Sequence, residues 1–185
     1  MRTLFVSAIF CLGLHTASIA QAAKINWMTI EEVEEAIKTD PKPVMMDVYT
    51  SWCGPCKRMK AVTFTNPNVI KYINENYYPI YFDAEHPSSI TYKGKEFKNL
   101  DYDPNRQGAR NGTHQLTKIL GVSAFPTIVF FDDNFNIIFP SRGYHDSKQL
   151  EVFLKFFNEA YSKDTPKENQ QAVFNEFTST FTPSW

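Results

Sequence analysis

Residues 51–57 read Ser51-Trp52-Cys53-Gly54-Pro55-Cys56-Lys57, "SWCGPCK". Two of the chain's three cysteines stand three positions apart with Gly-Pro between them. A disulfide that serves stability usually closes a long loop, because the unfolded chain then loses most freedom. Closing two intervening residues restricts it little. The pair is poorly placed for stability and well placed for chemistry.

The residues around it set the local fold. Val44-Met45-Met46-Asp47-Val48-Tyr49 is a short apolar run, predicted as a buried strand. The cysteines follow at once, and a helix is expected from Cys56 to about Val62. Asn66-Pro67 restarts a helix, with Asn66 as cap and Pro67 at its first position. Tyr77 to Phe82 is the next strand, ending at Asp83. Residues 43–83 therefore read strand, helix, strand, a unit with a right-handed crossover. The cysteines sit where the first strand gives way to helix.

Outward from this unit, Thr29-Ile30-Glu31-Glu32 is a capping box that opens an earlier helix, ending near Lys38 before Pro41 and Pro43. Residues 84–112 are polar and irregular, with a small hairpin from Ile90 to Phe97 turning at Lys93-Gly94. Thr113 to Leu120 is a short helix closed by Gly121. Thr127 to Phe131 is an apolar strand. Asp132-Asp133-Asn134 is a turn, and Phe135 to Phe139 returns as a strand. Ser147 starts a strong helix, with Leu150, Phe153, Leu154 and Phe157 on one face. Beyond Tyr161 the chain turns polar, and Phe174, Phe177 and Phe181 then recur at helical spacing. That segment reads as a tail helix packed on its own domain or as a partner-binding segment.

The chain has 185 residues, 43% of them hydrophobic, which suits one compact domain. Its net charge of −1 gives no electrostatic case for nucleic acid or an anionic membrane as partner. The first residues differ from the rest. Arg2 precedes an apolar run of 11 residues, Leu4–Leu14, and small and polar residues then end in Ala20-Gln21-Ala22. This is the layout of a secretory signal peptide over 1–22, too short to span a bilayer, which takes about 20 apolar residues. Its removal takes Arg2, leaving 18 basic against 20 acidic residues, and takes Cys11. A periplasmic or secreted protein with only Cys53 and Cys56 follows, in a compartment where disulfides form freely.

"WCGPCK" after a strand and "AFPT" opening a later one resemble thioredoxin. The order of elements agrees over about 24–161, so the expected fold is α/β: a central mixed sheet flanked by helices. The domain expected is 23–161, with an insertion at about 84–112 before the third core helix and a tail at 162–185. "VTFTNPNVIKYI" is similar to extracytoplasmic thioredoxin-like proteins. The resemblance implies a Cys53–Cys56 disulfide that cycles with its dithiol, no cofactor, protein disulfide or dithiol substrates, and a membrane redox partner that recharges the pair. It implies a cis Phe125–Pro126 bond beside the cysteines, with the Phe125 backbone left to pair with an extended substrate. Pro55 stiffens the loop, and by resemblance the Gly54-Pro55 dipeptide implies a reducing enzyme. Trp52 either borders the same substrate surface or packs beneath the loop.

Chemistry assigns the roles. A thiolate is the nucleophile in disulfide exchange, and a free thiol near pKa 8.5 is only about 3% ionised at pH 7. Cys53, at a helix N-terminus, meets unpaired backbone N–H groups that favour negative charge. It is the expected attacking residue, with Cys56 one turn deeper resolving the mixed disulfide. Asp47 is costly in an apolar strand unless paired or protonated. It is either bonded to backbone or, as the resemblance implies, moves the proton of the buried cysteine. Thioredoxins carry a lysine on the strand beside this aspartate, and residues 77–83 contain none. Zinc would need two more ligands, and no second C-x-x-C exists, so no metal is expected. His86, His114 and His145 read as ordinary surface residues. The leading function is an exported thiol–disulfide oxidoreductase that reduces protein disulfides. The alternatives are a disulfide-introducing or isomerising catalyst, and a binding module that kept the fold.

Overall fold

A computed structural model describes residues 24–185. The expected signal segment, with Cys11, lies outside the described residues. Helix α1 (Ile30–Ile37) begins at the Thr29 box: Thr29 Oγ1 accepts the Glu32 N–H, and the Glu32 carboxylate accepts the Thr29 N–H. Strand β1 (Val44–Tyr49) follows, then α2 (Gly54–Ala61), α3 (Pro67–Asn76) and β2 (Tyr78–Asp83). A hairpin of β3 (Ile90–Tyr92) and β4 (Lys95–Phe97) leads to α4 (Gln115–Ile119). Strands β5 (Thr127–Phe131) and β6 (Ile137–Arg142) precede α5 (Ser147–Lys155), which runs into a π-helical turn at Phe156–Ala160. Helix α6 (Lys167–Thr180) lies in the tail.

The sheet runs β2-β1-β5-β6, with β1–β2 parallel and the other pairs antiparallel. It is the mixed sheet flanked by helices that the sequence implies. Because side chains alternate along a strand, β1 feeds two cores. Val44, Met46 and Val48 pack with Val33 of α1 and Leu116 and Leu120 near α4. Met45 packs on the other face with Met59 of α2, Ile73 of α3 and Leu150 and Leu154 of α5. Asp47 shares the parity of Met45, and so the face that α2 covers.

Several expectations are corrected. The strand predicted over 135–139 begins at Ile137 and extends to Arg142. Phe135 instead has φ of 59° and is buried in the turn, where the Asp132 carboxylate accepts the N–H groups of Asn134 and Asn136. The helix predicted from Thr113 starts at Gln115, because the His114 ring accepts the Leu116 N–H and caps it. His114 and His145 are not surface residues. His114 is wholly buried as that cap, and His145 is buried with its ring 2.9 Å from Ser141 Oγ.

The segment 84–112 contributes to the core. Tyr92 and Phe97 are buried in the cluster shared with β1, and Tyr92 Oη donates to the Phe135 carbonyl at 2.6 Å. Its hairpin turns at Lys93 (φ 52°) and Gly94 (φ 72°), the two successive positive φ angles of a tight hairpin. In the tail, Phe174 meets Phe156 edge-on and Phe177 packs tilted against it, and Ser184 and Trp185 donate their N–H groups to the buried Glu151 carboxylate.

Candidate active site

β1 ends at Tyr49, and the turn from Thr50 is closed by the Cys53 N–H on the Thr50 carbonyl. Cys53 is then the cap of α2. Its sulfur accepts the Cys56 N–H at 3.1 Å, and its carbonyl accepts the Lys57 N–H. Gly54 and Pro55 fill the first two helical positions, where a missing N–H costs nothing. Cys53 and Cys56 are disulfide-bonded with Cα atoms 5.3 Å apart. Both are buried, at 4% and 2% exposure, so burial alone does not distinguish them. Position does: only Cys53 occupies the helix terminus, where a sulfur anion would receive a backbone N–H.

The Phe125–Pro126 bond is cis. Pro126 is buried, and its carbonyl accepts the Gly143 N–H at 2.8 Å, tying the start of β5 to the loop after β6. Trp52 meets Phe125 edge-on, with ring centroids 6.0 Å apart. The tryptophan that precedes Cys53 and the residue that precedes Pro126 therefore form one rim.

Asp47 lies opposite Tyr81 on β2 and Ile128 on β5. It is fully buried, and neither carboxylate oxygen accepts a hydrogen bond from a described residue. The reading in which backbone groups hold it is thus set aside. Burial pushes its pKa up to about 7, and the Lys60 ammonium pulls against that rise. A carboxyl poised there can give and take a proton at neutral pH. Tyr49 and Tyr81 stack beside it with centroids 4.0 Å apart, and Lys60 Nζ lies 5.0 Å from the Tyr81 ring centroid. The cation absent from 77–83 is supplied instead by α2. Its sequence signal was available: Lys60 follows Cys56 by four residues, one helical turn along the same face.

The insertion also reaches the site, which sequence reasoning missed. Trp52 Nε1 donates to Glu85 Oε1 at 2.8 Å, and the same oxygen accepts the Asn111 N–H at 2.7 Å. The Arg110 guanidinium lies 4.6 Å from the Trp52 ring centroid. No spacing rule links residue 52 to residues 85 and 110, so only the folded chain reveals the contact. His86, His114 and His145 do not join the cysteines, and burial holds His114 and His145 below the usual imidazole pKa.

The geometry can support dithiol–disulfide exchange: a sulfur at a helix terminus, a second one turn along, and a buried protonatable carboxyl on the covered sheet face. A family model for a thioredoxin-like domain matches residues 30–158. The thiol:disulfide interchange protein DsbD of Pectobacterium atrosepticum is 31% identical over 146 residues, 78% of this chain and 21% of that protein. The Escherichia coli K12 protein of the same name is 29% identical over 105 residues, 56% of this chain and 14% of that one. The chain thus spans about a fifth or less of the length of these curated relatives. A thioredoxin-fold protein from Helicobacter pylori superposes with a TM-score of 0.52 at 19% identity, covering 80% of this chain and 98% of that one.

Proposed function

The chain belongs to the thioredoxin-like family, and from that premise we propose that it is an exported thiol–disulfide oxidoreductase that reduces protein disulfides through Cys53 and Cys56. The observation that carries the assignment of roles is Cys53 at the cap of α2, with the Cys56 N–H directed at its sulfur.

In the reduced protein the Cys53 thiolate attacks one sulfur of the substrate disulfide. A bond forms between Cys53 and that sulfur, and the other substrate sulfur leaves as a thiolate. Asp47 takes the Cys56 proton, and the Cys56 thiolate attacks Cys53 Sγ. The Cys53–Cys56 bond forms and the second substrate sulfur leaves. Two electrons pass to the substrate and one disulfide is exchanged for another. A membrane-held dithiol partner restores the reduced pair by the reverse sequence. Trp52, Phe125 and Pro126 border the substrate segment, while Gly54 and Pro55 shape the loop beneath it. The catalytic unit spans 23–161, and 162–185 is a tail packed onto it.

The reducing direction rests on the Gly54-Pro55 dipeptide, and export on the Leu4–Leu14 run before Ala20-Gln21-Ala22. Equilibration with glutathione tests the direction: a potential well below that of glutathione supports a reductant, and one above it an oxidant. Intact mass of the protein recovered from the periplasm tests export, since it should lack residues 1–22.

A further inference from the structure

We infer that Arg110 is a specificity-determining residue that receives a carboxylate on the substrate segment flanking the disulfide to be reduced. The inference rests on the exchange chemistry above and adds the substrate's class: proteins with acidic residues beside the reactive disulfide.

The position of Arg110 is built by its neighbours. Trp52 precedes Cys53 and is fixed from two sides, by its Nε1 bond to Glu85 and by Phe125. The Asn111 N–H shares the Glu85 oxygen, so the backbone next to Arg110 is tied to the acid that holds Trp52. Asn111 is itself fixed, with Oδ1 accepting from the Asp103 and Gly112 N–H groups and Nδ2 donating to the Asp103 carbonyl. Gly112 lies against the Asp101 backbone so closely that a Cβ there would stand 2.3 Å from its carbonyl carbon. This part of the insertion closes on itself and carries Arg110 over the indole.

The Arg110 guanidinium lies over the indole, and no described residue forms a hydrogen bond or ion pair with it. Arg110 is exposed, with its guanidinium carbon 4.6 Å from the Trp52 ring centroid. A guanidinium held over a ring is pre-organised, and its planar fork of donors matches a carboxylate in bidentate fashion. Glu85 is buried with Oε1 holding two donors, and Asp83 and Asp103 accept the N–H groups of Glu85 and Asn105. The elements flanking the disulfide add cations. Helix α2 carries exposed Lys57 and Arg58 and no acid, and exposed Arg142 on β6 pairs with Thr127 beside Pro126. An acidic segment arriving at the rim is attracted, and a basic one is repelled.

The test uses the reduced protein and three disulfide-bonded peptides that differ only in residues flanking the cysteines: Glu, Gln or Lys. Second-order rate constants are measured at low and high salt, with neutral bis(2-hydroxyethyl) disulfide as a further substrate. Wild type should prefer the Glu peptide to the Lys peptide by about tenfold at low salt, and the ratio should shrink at high salt. Arg110→Gln should cut the ratio by about threefold or more, Arg110→Glu should reverse it, and Arg110→Lys should restore part of it. An unchanged ratio in Arg110→Gln would overturn the inference. So would equal slowing on all three peptides, which would mean that Arg110 acts on Cys53 rather than on substrate. Failure of wild type to reduce even bis(2-hydroxyethyl) disulfide would overturn the exchange chemistry and the inference with it.

Discussion

The Lys60 ammonium lies 5.0 Å from the centroid of the Tyr81 ring, and Tyr81 is the cross-strand neighbour of Asp47. Tyr81 thus meets an exposed cation and stands across the strand pair from a buried carboxyl that has no hydrogen-bond donor among the described residues. The charge of α2 reaches the sheet face beneath the cysteines without a direct ion pair. Tyr49 stacks on Tyr81, with ring centroids 4.0 Å apart.

Removing that cation should move the titration of Asp47 to higher pH. In Lys60→Gln, infrared or NMR titration of the carboxyl should show the shift, and Lys60→Arg should restore most of it. A cation of this exposure is worth about 1 kcal/mol at most, so the exchange rate near pH 7 should fall by no more than about fivefold. An unmoved titration would mean that Lys60 does not act on Asp47.

Asp47 should cost the fold stability at neutral and alkaline pH. Its folded pKa of about 7 lies above the ordinary carboxyl value of 3.8, so the folded state binds the extra proton between those values. Stability contributed by that proton is therefore full below about pH 4 and is lost as pH rises through 7. The three-unit difference corresponds to about 4 kcal/mol as a ceiling. Asp47→Asn should gain on wild type as pH rises, by about 2–4 kcal/mol at pH 8.5 and little at pH 4. Urea unfolding at the two pH values checks the sign, and its exchange rate near pH 7 should fall.

The insertion is predicted to be part of the folding unit. Phe97 and Tyr92 are each 6% exposed and pack with the β1 core. Phe97→Ala should cost about 3–5 kcal/mol. Tyr92→Phe should cost about 1–2 kcal/mol by leaving the Phe135 carbonyl without its donor. Denaturant midpoints at fixed pH measure both. Losses under 0.5 kcal/mol would mean that the hairpin is an appendage.

Glu151 should hold the tail. Its carboxylate accepts the Ser184 and Trp185 N–H groups and the Ser184 hydroxyl, with Lys155 Nζ 3.2 Å away. Glu151→Ala should free residues 181–185 to proteolysis at least several-fold faster, at a cost of about 1–3 kcal/mol. Unchanged cleavage would show that the aromatic contacts of α6 suffice alone.

Much of this architecture was legible because local signals coincide with tertiary ones. The run Val44–Tyr49 is a strand because both of its faces are buried, and Lys93-Gly94 marks a turn because glycine accepts the positive φ there. Phe135 departs from its expected strand for the opposite reason. An aromatic residue suggests a strand, yet the Asp132 carboxylate organises a turn around it and the core accepts its ring. The cysteine pair stands out by its spacing within one short segment, and Asp47 by its cost in an apolar strand, while the proton role comes from the resemblance to thioredoxin. Arg110 and Glu85 were not, since their contacts with Trp52 depend on how a 29-residue insertion closes. His114 reads as a surface residue because a histidine that caps a helix has no pattern separating it from one in water.

The central claim, that Cys53 attacks and Cys56 resolves, is tested most directly by the two serine variants and a protein disulfide substrate. The products are read on non-reducing gels and by intact mass. Cys56→Ser should accumulate a mixed disulfide through Cys53 that dithiothreitol releases, and Cys53→Ser should form none. Adducts formed equally by both variants, or by Cys53→Ser alone, would contradict the account.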